Sequence, residues 1–541
     1  MNNAIIEMEH DFVKSEICEM ILHRLKLISQ PTREDVERVK LEVCREKAFP
    51  LPKNSDILRY LHKDETKFFL TLLRNKPVRT ISGVAVIAVM TAPHPCPKDK
   101  PCIYCPGGPR YGVPQSYTGY EPAAMRGLQN LYDPFMQVKS RLDQLKAIGH
   151  SVNKSELIIM GGTFPSTSIT YQRSFVKACL DALNNCPSLS LNEAKKKAES
   201  SDNRCVGITV ETRPDYCKQE HIDFLLNLGI TRVELGVQTV YDQVYSIINR
   251  GHNLQDVVEA SRYVKDSGLK LCYHMMPGLP GSDLKMDFEA FQSIFNDNRF
   301  RPDMLKIYPC LVIEGTELFD LWKKGEYSPY SLEETIELLA NIKKIVPTWV
   351  RIMRIQRDIP ANLIIAGVRK SNLRQLVKKR MEERSESCNC IRCREIGHGV
   401  LKRNLTVNED KIQTSYVTYE SSNGEEIFIS IEDFENDLII GYLRLRVPSV
   451  KANRPEISSG HVSIIREIKI CGPVVPIGLH DKFGWQHRGY GQILLKEAER
   501  ISLQEFDRNK IVITSALGTK KYYGQFGYRY DGPYMSKIIF E

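Results

Sequence analysis

Residues 84–108 read VAVIAVMTAPHPCPKDKPCIYCPGG, a short apolar run followed by a loop with three cysteines. The run predicts a buried β-strand because it is almost purely aliphatic and ends at a proline-rich turn. Cys96, Cys102 and Cys105 follow it as C-x5-C-x2-C. Three thiolates in one loop can hold three irons of a 4Fe–4S cube and leave the fourth iron open. A three-thiol zinc site and unrelated buried cysteines are the alternatives.

Short apolar runs recur up to residue 308, and longer helical patterns separate them. The further runs read ELIIMGG, CVGITVET, RVELGVQT, LKLCYHMMPG and MLKIYP. Strands alternating with helices predict a parallel sheet of βα units, either open or closed into a barrel. Ligands of such folds gather at the carboxyl ends of the strands. The residues at those ends are Gly161, Gly162, Glu211, Arg213, Gln238, His274 and Lys306.

Each of these residues also has an ordinary structural explanation. The glycine pair fits a tight βα turn. The other polar side chains can cap helices or form ion pairs, and His274 can be a hydrogen-bonded core histidine. Their repetition at successive strand ends favours a ligand site.

The composition is that of a globular protein with two or three domains. The chain has 541 residues, of which 42% are hydrophobic and 26% charged, and this excludes a disordered or collagen-like chain. The longest apolar stretch, near residues 81–90, is shorter than the roughly 20 residues that span a bilayer. The first residues carry acids and lack the features of a secretory signal. Fifteen cysteines do not suggest a disulfide scaffold. We therefore expect a cytoplasmic protein without a membrane segment.

The net charge of +9 is concentrated in two regions. Residues 20–80 contain fourteen Lys or Arg against eight Asp or Glu, in patterns typical of amphipathic helices. These helices present either a solvated surface or an anion-binding one. Residues 369–380 (RKSNLRQLVKKR) contain six basic residues and no acid. Both regions are candidates for contact with nucleic acid.

A second cysteine cluster follows the basic segment. Cys388, Cys390 and Cys393 form C-x-C-x2-C, which is within reach of one tetrahedral ion. A fourth ligand is needed, and the candidates are His398, His62 and His94. A second iron–sulfur cluster is the competing interpretation. We expect a structural ion that fixes the basic segment between two domains.

Beyond residue 404 the pattern becomes rich in β-strands. The segment FGWQHRGYGQILLKEAERI places Gln486, Gly489 and Gly491 directly before a helical pattern. Backbone N–H groups at a helix start, left accessible by glycine, form a cradle for a pyrophosphate. The strand REIKICG precedes this cradle and GTKKYYGQFGYRYDGPYM follows it, in the order of GNAT acetyltransferases.

The cysteine loop, the segment QSYTGYEPAAMRGLQNLYDP, the GGTFPS stretch and the C-terminal region together resemble the catalytic-subunit family of the Elongator complex. The resemblance implies an α/β fold in which a radical-SAM partial (β/α) barrel carries a helical N-terminal region and a C-terminal GNAT α/β acetyltransferase domain. The implied domains are a basic helical tRNA-binding region (1–80), the radical SAM domain (81–368), a basic zinc-binding linker (369–404) and the acetyltransferase domain (405–541). The first cysteine gap is longer than in the usual C-x3-C-x2-C motif.

The resemblance also implies roles for individual residues. The first cluster would hold a 4Fe–4S cluster and the second a zinc ion. S-adenosylmethionine (SAM) would contact Gly161, Gly162, Glu211, Arg213 and Gln238. The residues implied in acetyl-CoA binding are Lys154, Glu467, Ile468, Lys469, Ile470, Gln486, Gly489, Tyr490, Gly491, Gln492 and Tyr523. Catalytic roles fall to Tyr523 and Lys306, with Tyr522 as an alternative to Tyr523; an exposed surface position is the alternative for Lys154.

In this interpretation a SAM-derived 5′-deoxyadenosyl radical activates the methyl group of acetyl-CoA for addition to carbon 5 of the wobble uridine in tRNA. The anticodon stem-loop of tRNA would be the macromolecular partner, with a homodimer or further Elongator-type subunits as possible assemblies. One rival hypothesis is a protein lysine N-acetyltransferase with a structural cysteine domain. Another is a tRNA scaffold that has lost its chemistry.

Overall fold

The computed structural model describes residues 2–61, 66–74, 80–81, 83–403, 405, 407–473, 475 and 484–540. The helices are α1 Asn2–Lys26, α2 Arg33–Glu46, α3 Asn54–Leu58, α4 Thr66–Leu73, α5 Pro122–Gln129, α6 Pro134–Ala147, α7 Ile169–Asn184, α8 Leu191–Ala198, α9 Gln219–Leu228, α10 Asp242–Ile247, α11 Leu254–Asp266, α12 Leu284–Asn296, α13 Glu317–Lys323, α14 Leu332–Lys344, α15 Leu373–Glu383, α16 Ile391–Arg394, α17 Ile396–Arg403, α18 Tyr490–Gln504 and α19 Lys520–Gly524. The strands are β1 Ala85–Met90, β2 Lys154–Met160, β3 Arg204–Thr212, β4 Arg232–Gln238, β5 Lys270–Met275, β6 Met304–Ile307, β7 Val312–Ile313, β8 Arg351–Ile355, β9 Ile364–Ala366, β10 Ile412–Ser421, β11 Gly424–Asp433, β12 Leu438–Val447, β13 Val462–Ile470, β14 Lys510–Ile513, β15 Arg529–Asp531 and β16 Tyr534–Ile538.

The first sheet is the predicted parallel partial barrel. Its seven strands run in the order β1-β2-β3-β4-β5-β6-β8, and every neighbouring pair is parallel. Each apolar run named from the sequence forms one of the first six strands, which confirms the predicted α/β class. The seventh strand, Arg351–Ile355, was missed because two arginines interrupt its five residues.

The second sheet has seven strands in the order β10-β11-β12-β13-β14-β16-β15. It is antiparallel except where β13 meets β14. That parallel pairing covers only Val462–Ile465 against Lys510–Ile513. Residues 466–470 of β13 therefore extend past the end of β14, and this opens a cleft in the sheet. An α/β domain with a split sheet is consistent with the expected GNAT-like fold.

The N-terminal region is helical, as its amphipathic pattern predicts. Helices α1 to α4 enclose a small hydrophobic core of their own. Thr32 caps α2 through a reciprocal capping box with Asp35. Some of the basic side chains pair with acids of the same region, as in the bidentate contact between Arg24 and Glu46. These pairs fit a solvated surface.

The segment after residue 369 is helical and contacts both sheets. Cys390 belongs to the core of the first sheet, whereas Ile391 and Ile396 belong to the core of the second. Glu395 forms a buried ion pair with Arg351 of β8, with Nη2 to Oε2 at 2.9 Å. Across the described residues, no helix combines the length and the apolar character that a membrane crossing needs.

A network of buried charges joins the two sheets. Four cations and four anions take part; Glu467 is half-buried, and the other seven are nearly inaccessible to solvent. They are Lys265, Asp266 and Asp303 on the barrel side and Glu426, Arg444, Arg446, Arg466 and Glu467 on the other. The positive and negative charges balance only when both sides are present. Each domain therefore neutralises charges that the other buries.

Candidate active site

The three cysteines of the first motif lie at the carboxyl ends of the barrel strands. Cys96, Cys102 and Cys105 line one cavity together with the ends of β2, β3, β4 and β5. Within the part of the chain that the structure describes, these three sulfurs do not all lie within 4.8 Å of one another. A cube binds each thiolate through a different iron, so its ligands stand farther apart than those of a single ion. The arrangement fits a 4Fe–4S cluster better than a three-thiol zinc site.

Polar groups surround two of these thiols. Gln115 donates from Nε2 to the Cys105 sulfur at 3.2 Å, and the Ser116 hydroxyl lies 3.1 Å from the same sulfur. Arg250 donates to Cys102 at 3.6 Å. Although burial opposes it, the positive charges of Arg250 and Lys98 lower the pKa of Cys102. Hydrogen bonds and positive charge at the sulfurs stabilise the thiolates that a cluster requires.

The glycine pair after β2 shapes the wall beside the cysteines. Gly161 has φ of +138° and Gly162 has φ of +93°, which disfavours any residue with a Cβ. A Cβ at Gly161 would also overlap the hydroxyl of Thr91. The backbone at this strand end therefore carries no side chains where it lines the cavity. The methionyl group of SAM would need such an accessible backbone for close contact. A tight turn alone does not explain the close approach to Thr91.

Two polar side chains at the strand ends have unused hydrogen-bonding groups. Gln238 has φ of +76°, an unusual conformation for a residue with a side chain, and its buried Oε1 has no partner among the described residues. Arg213 is held by Asp215 through Nε at 2.9 Å and Nη2 at 2.6 Å, whereas its Nη1 is buried without a described partner. Both residues line the cavity and could serve a polar ligand there.

Glu211 and Lys306 belong to a charged cluster directly below this cavity. Glu211 accepts a hydrogen bond from Tyr117 at 2.7 Å, and its carboxylate lies 3.6 Å from Lys306 Nζ. Lys306 also pairs with the fully buried Glu234, which contacts His274 at 2.8 Å. Burial opposes the charge of Lys306, but Glu234 and its neighbours raise the pKa of Lys306. Lys306 therefore stays protonated and can donate but cannot act as a base.

We predict that Gly161→Ala weakens SAM binding by about tenfold or more, because its Cβ would overlap Thr91 and force a shift of the backbone that faces SAM. Equilibrium SAM binding to the protein with reconstituted cluster measures the effect. Gly325→Ala is the control, since Gly325 has φ of +76° but open space around it. Equal SAM affinity in wild type and Gly161→Ala would contradict this role.

A second, larger cavity lies at the opposite end of the barrel. It has a volume of about 1120 Å³, enough for a ligand of the size of CoA. One wall is the free edge of β13, with Glu467, Ile468, Lys469 and Ile470. The facing wall is formed by the amino ends of the barrel strands, including Lys154. Because β14 ends earlier, the backbone groups of this part of β13 are available to a pantetheine arm.

The start of α18 borders the same cavity. Gly489 precedes the helix with φ of +86° and provides no capping side chain, so N–H groups of the first turn are left for a ligand. Gln486, Tyr490, Gly491 and Gln492 also line the cavity. A Cβ at Gly491 would lie only 2.6 Å from the Tyr522 hydroxyl, so a larger residue at this position would have to displace that ring.

Tyr523 of the second domain and Lys154 of the barrel both line this cavity. Tyr523 is buried and its pKa is raised by burial, so its phenol remains neutral and can donate a proton or a hydrogen bond. The Tyr522 hydroxyl lies beside Gly491 at the start of α18, and this side chain is partly exposed. Lys154 donates to Gln486 Oε1 at 2.8 Å, which links β2 of the barrel to the CoA cradle. The exposed-surface explanation for Lys154 is therefore wrong.

The second cysteine cluster forms a compact ligand set. The sulfurs of Cys388, Cys390 and Cys393 lie within 4.8 Å of one another, as the ligands of one ion do. Lys343 Nζ lies 3.4 Å from the Cys393 sulfur. Among the described residues no histidine belongs to this set. His94 instead lines the first cavity, and His62 lies outside the described residues.

Sequence reasoning missed the charged groups inside the barrel. Glu156, Arg232 and Glu234 lie on strands that should be buried on both faces, and they form ion pairs in the barrel interior. A signal was present: in KSELIIM and RVELGVQ, charged residues alternate with apolar ones within buried strands. The sequence did not indicate which charges would meet.

Comparisons with known proteins agree with this architecture. Family models match residues 95–291 (Radical SAM superfamily), residues 302–383 (Radical_SAM C-terminal domain) and residues 14–81 (ELP3 N-terminal domain). A protein of Methanocaldococcus jannaschii named tRNA uridine(34) acetyltransferase is 50% identical over 529 residues, 97% of each chain. Human Elongator complex protein 3 is 43% identical over 514 residues, 93% of each chain.

A solved structure is also similar. The archaeal Methanocaldococcus infernus Elp3 with an N-terminal deletion (1–46) aligns with a TM-score of 0.76 and 46% identity, covering 85% of this chain and 100% of that one. The fold and the cysteine cavity define a radical SAM enzyme, a class that uses a 4Fe–4S cluster and SAM. Within that class, the chain belongs to the Elp3 family.

Proposed function

We propose that this protein is a tRNA uridine(34) acetyltransferase that builds a carboxymethyl group on carbon 5 of the wobble uridine. The observation that carries the proposal is the position of the CoA-sized cavity. Its walls come from both domains, and the cavity with the cysteine motif opens at the other end of the same barrel. One barrel thus connects a site suited to radical formation with a site suited to a thioester.

The cluster and SAM, when bound, supply a 5′-deoxyadenosyl radical that takes a hydrogen atom from the methyl group of acetyl-CoA. The resulting carbon radical adds to carbon 5 of uracil. Loss of the carbon-5 proton and of one electron, which would return to the cluster that supplied one electron for SAM cleavage, restores the ring double bond. Hydrolysis of the thioester by water leaves carboxymethyluridine and CoA. The Tyr523 phenol, which stays neutral, would protonate the departing CoA thiolate or orient the thioester. Lys306 would contribute a fixed positive charge below the SAM site.

The structure argues against the rival protein lysine acetyltransferase. In that activity a protein lysine must approach the thioester through the cleft between β13 and β14. Here the amino ends of the barrel strands, among them Arg204, Arg232 and Lys270, cover that cleft. These cations would also repel an incoming lysine. The scaffold hypothesis is opposed by the orphaned groups of Gln238 and Arg213, which are costly unless a ligand uses them.

The remaining assignments are part of the same proposal. The four-part division at residues 80, 368 and 404 separates the N-terminal helices, the barrel, the cysteine linker and the second sheet. Zinc at Cys388, Cys390 and Cys393 would fix the linker. The fourth ligand would come from outside this set of three cysteines. The basic N-terminal region and residues 369–380 would contact phosphates of the anticodon stem-loop. A cytoplasmic location, a homodimer and Elongator-type partner subunits remain predictions.

The decisive experiment is anaerobic incubation with tRNA, SAM, [methyl-²H₃]acetyl-CoA and reductant, followed by mass spectrometry of the nucleosides. We expect carboxymethyluridine at the wobble position and deuterium in 5′-deoxyadenosine. Omission of SAM should abolish both products, whereas a lysine acetyltransferase would continue to consume acetyl-CoA. An unmodified wobble uridine with every tRNA tried would refute the proposal.

We predict that acetyl-CoA binding weakens as the pH rises through about 8. Burial lowers the pKa of Lys154 to about 8, so its charge is present below that pH and is lost above it. Neutral lysine no longer attracts the anionic ligand. Affinities measured between pH 6.5 and 9.5 test this, and Lys154→Arg should flatten the profile because arginine stays charged. The same slope in Lys154→Arg and wild type would contradict the assignment.

A further inference from the structure

The interior of the barrel is unusual because it is charged. Barrel interiors of this type are normally filled with branched apolar side chains. Here Arg232 of β4 lies between two carboxylates, with its Nη2 2.6 Å from Glu156 and its Nε 3.4 Å from Glu234. Buried ion pairs seldom add stability, because removing charges from water costs about as much as the attraction returns. The charged interior therefore needs a functional explanation.

Arg232 occupies the boundary between the two cavities. Glu156 and Arg232 line the acetyl-CoA cavity, whereas Glu234 lines the cavity with the cysteines. Arg232 and Glu234 are two residues apart on one strand, so their side chains lie on the same face and follow each other along the barrel. The Arg232 side chain thus closes the barrel end of the acetyl-CoA cavity, and the buried ion pairs of Glu234 and Glu211 with Lys306 form the next layer towards the cysteines.

The contacts of Arg232 hold its side chain inside the barrel. It is 3% exposed, its Nη2 lies 2.6 Å from Glu156, and its Nη1 lies 3.9 Å from the Met304 sulfur. Glu234 also pairs with Lys306 and His274, so it keeps partners when Arg232 is replaced. Glu156 then loses its ion pair with Arg232 and keeps a hydrogen bond from Thr209 at 3.4 Å.

We propose that Arg232 is a specificity-determining residue that limits the acyl group of the CoA substrate to acetyl, because its side chain fills the barrel end of the acetyl-CoA cavity. This inference rests on the proposed function.

The first test uses protein without cluster and measures equilibrium binding of CoA, acetyl-CoA and butyryl-CoA. Wild type should not gain affinity from the two extra methylenes of butyryl-CoA, because Arg232 fills the space. Arg232→Ala should bind butyryl-CoA about tenfold more tightly relative to acetyl-CoA, since two buried methylenes are worth about that factor. The affinity for CoA itself should change little in comparison.

Lys270→Ala is the matched control. Lys270 lies beside Arg232 in the register of β4 and β5 and lines the same cavity, but it does not stand between the two carboxylates. Its loss should weaken all three CoA compounds alike. The double variant Glu156→Gln/Arg232→Ala removes the carboxylate that Arg232→Ala leaves unpaired and should show the same butyryl preference. An unchanged ratio of butyryl-CoA to acetyl-CoA affinity in both Arg232 variants would overturn this role of Arg232.

A second measurement separates this inference from the proposed function. Failure of the proposed function appears in the wild type, which then binds no CoA compound or transfers no deuterium from [methyl-²H₃]acetyl-CoA to 5′-deoxyadenosine even with tRNA. Failure of the Arg232 assignment leaves the wild type unaffected and appears as an unchanged acyl preference in the Arg232 variants.

Discussion

Replacement of Cys102 by serine is expected to abolish both the cluster and the formation of carboxymethyluridine. Cys102 is buried between Lys98 and Arg250, whose positive charges lower the pKa of its thiol and so favour the thiolate in the cysteine cavity. A serine hydroxyl does not supply the soft thiolate that iron–sulfur clusters need. The visible absorbance of the anaerobically reconstituted protein and the wobble nucleosides measure the two losses.

Cys186→Ser is the matched control for this prediction. Cys186 is exposed and stands apart from both cavities, so its replacement should leave absorbance and product unchanged. Acetyl-CoA binding should survive in Cys102→Ser, because the CoA cavity is at the other end of the barrel. Wild-type levels of product in Cys102→Ser would refute the radical mechanism.

Asp303→Asn should be the most destabilising single change in the described core. Asp303 accepts from Arg466 Nη1 at 2.7 Å and Nη2 at 2.6 Å, and Lys265 and Arg444 lie within 4 Å. Asparagine keeps the shape but leaves three buried cations with one anion fewer. Breaking a buried pair in this way costs about 3–5 kcal/mol. The free energy of unfolding in urea should fall by that amount.

Lys378→Gln is the control for the stability experiment. Lys378 and Glu382 form a 3.0 Å ion pair on the exposed face of α15, with side chains 64% and 60% accessible. Such a pair contributes less than about 0.5 kcal/mol. If Asp303→Asn destabilised the protein no more than Lys378→Gln does, the buried network would not hold the two domains together.

Protonation should act on the same network. Burial opposes the charge of Asp303, but Arg466, Lys265 and Arg444 hold the pKa of its carboxyl far below the usual range. The stabilisation is therefore fully present above the unfolded-state pKa of about 4 and is lost as the pH falls through the depressed folded-state value. The difference in unfolding free energy between wild type and Asp303→Asn should accordingly shrink in strong acid.

The sequence predicted local features well because each depends on residues close together in the chain. The strand VAVIAVM, the loop with Cys96, Cys102 and Cys105, and the glycine cradle before α18 all appear where their patterns indicated. The motifs were also specific enough to indicate the Elongator catalytic-subunit family, which the comparisons confirm. Strand β8 was missed because arginines interrupt a short run.

The placement of charges could not be predicted in the same way. Arg444 and Arg446 alternate with apolar residues in LIIGYLRLRV, a pattern that normally indicates a sheet with one face in water. In the structure both arginines are buried, because the barrel domain covers that face and supplies Asp266 and Asp303. Alternation along a strand indicates which residues share a face of the sheet. It does not indicate which element packs against that face.

By itself, then, the sequence determined the first six strands of the barrel, the two cysteine motifs, the glycine turn before α18 and the family, since these follow from short-range spacing and residue chemistry. Only the tertiary structure decided that the two cavities lie at opposite ends of one barrel and that Arg232 stands between them. Residues brought together by folding across more than a hundred positions leave no periodic signal in the chain. Their ion pairs exist because the folded barrel removes them from water at the same place.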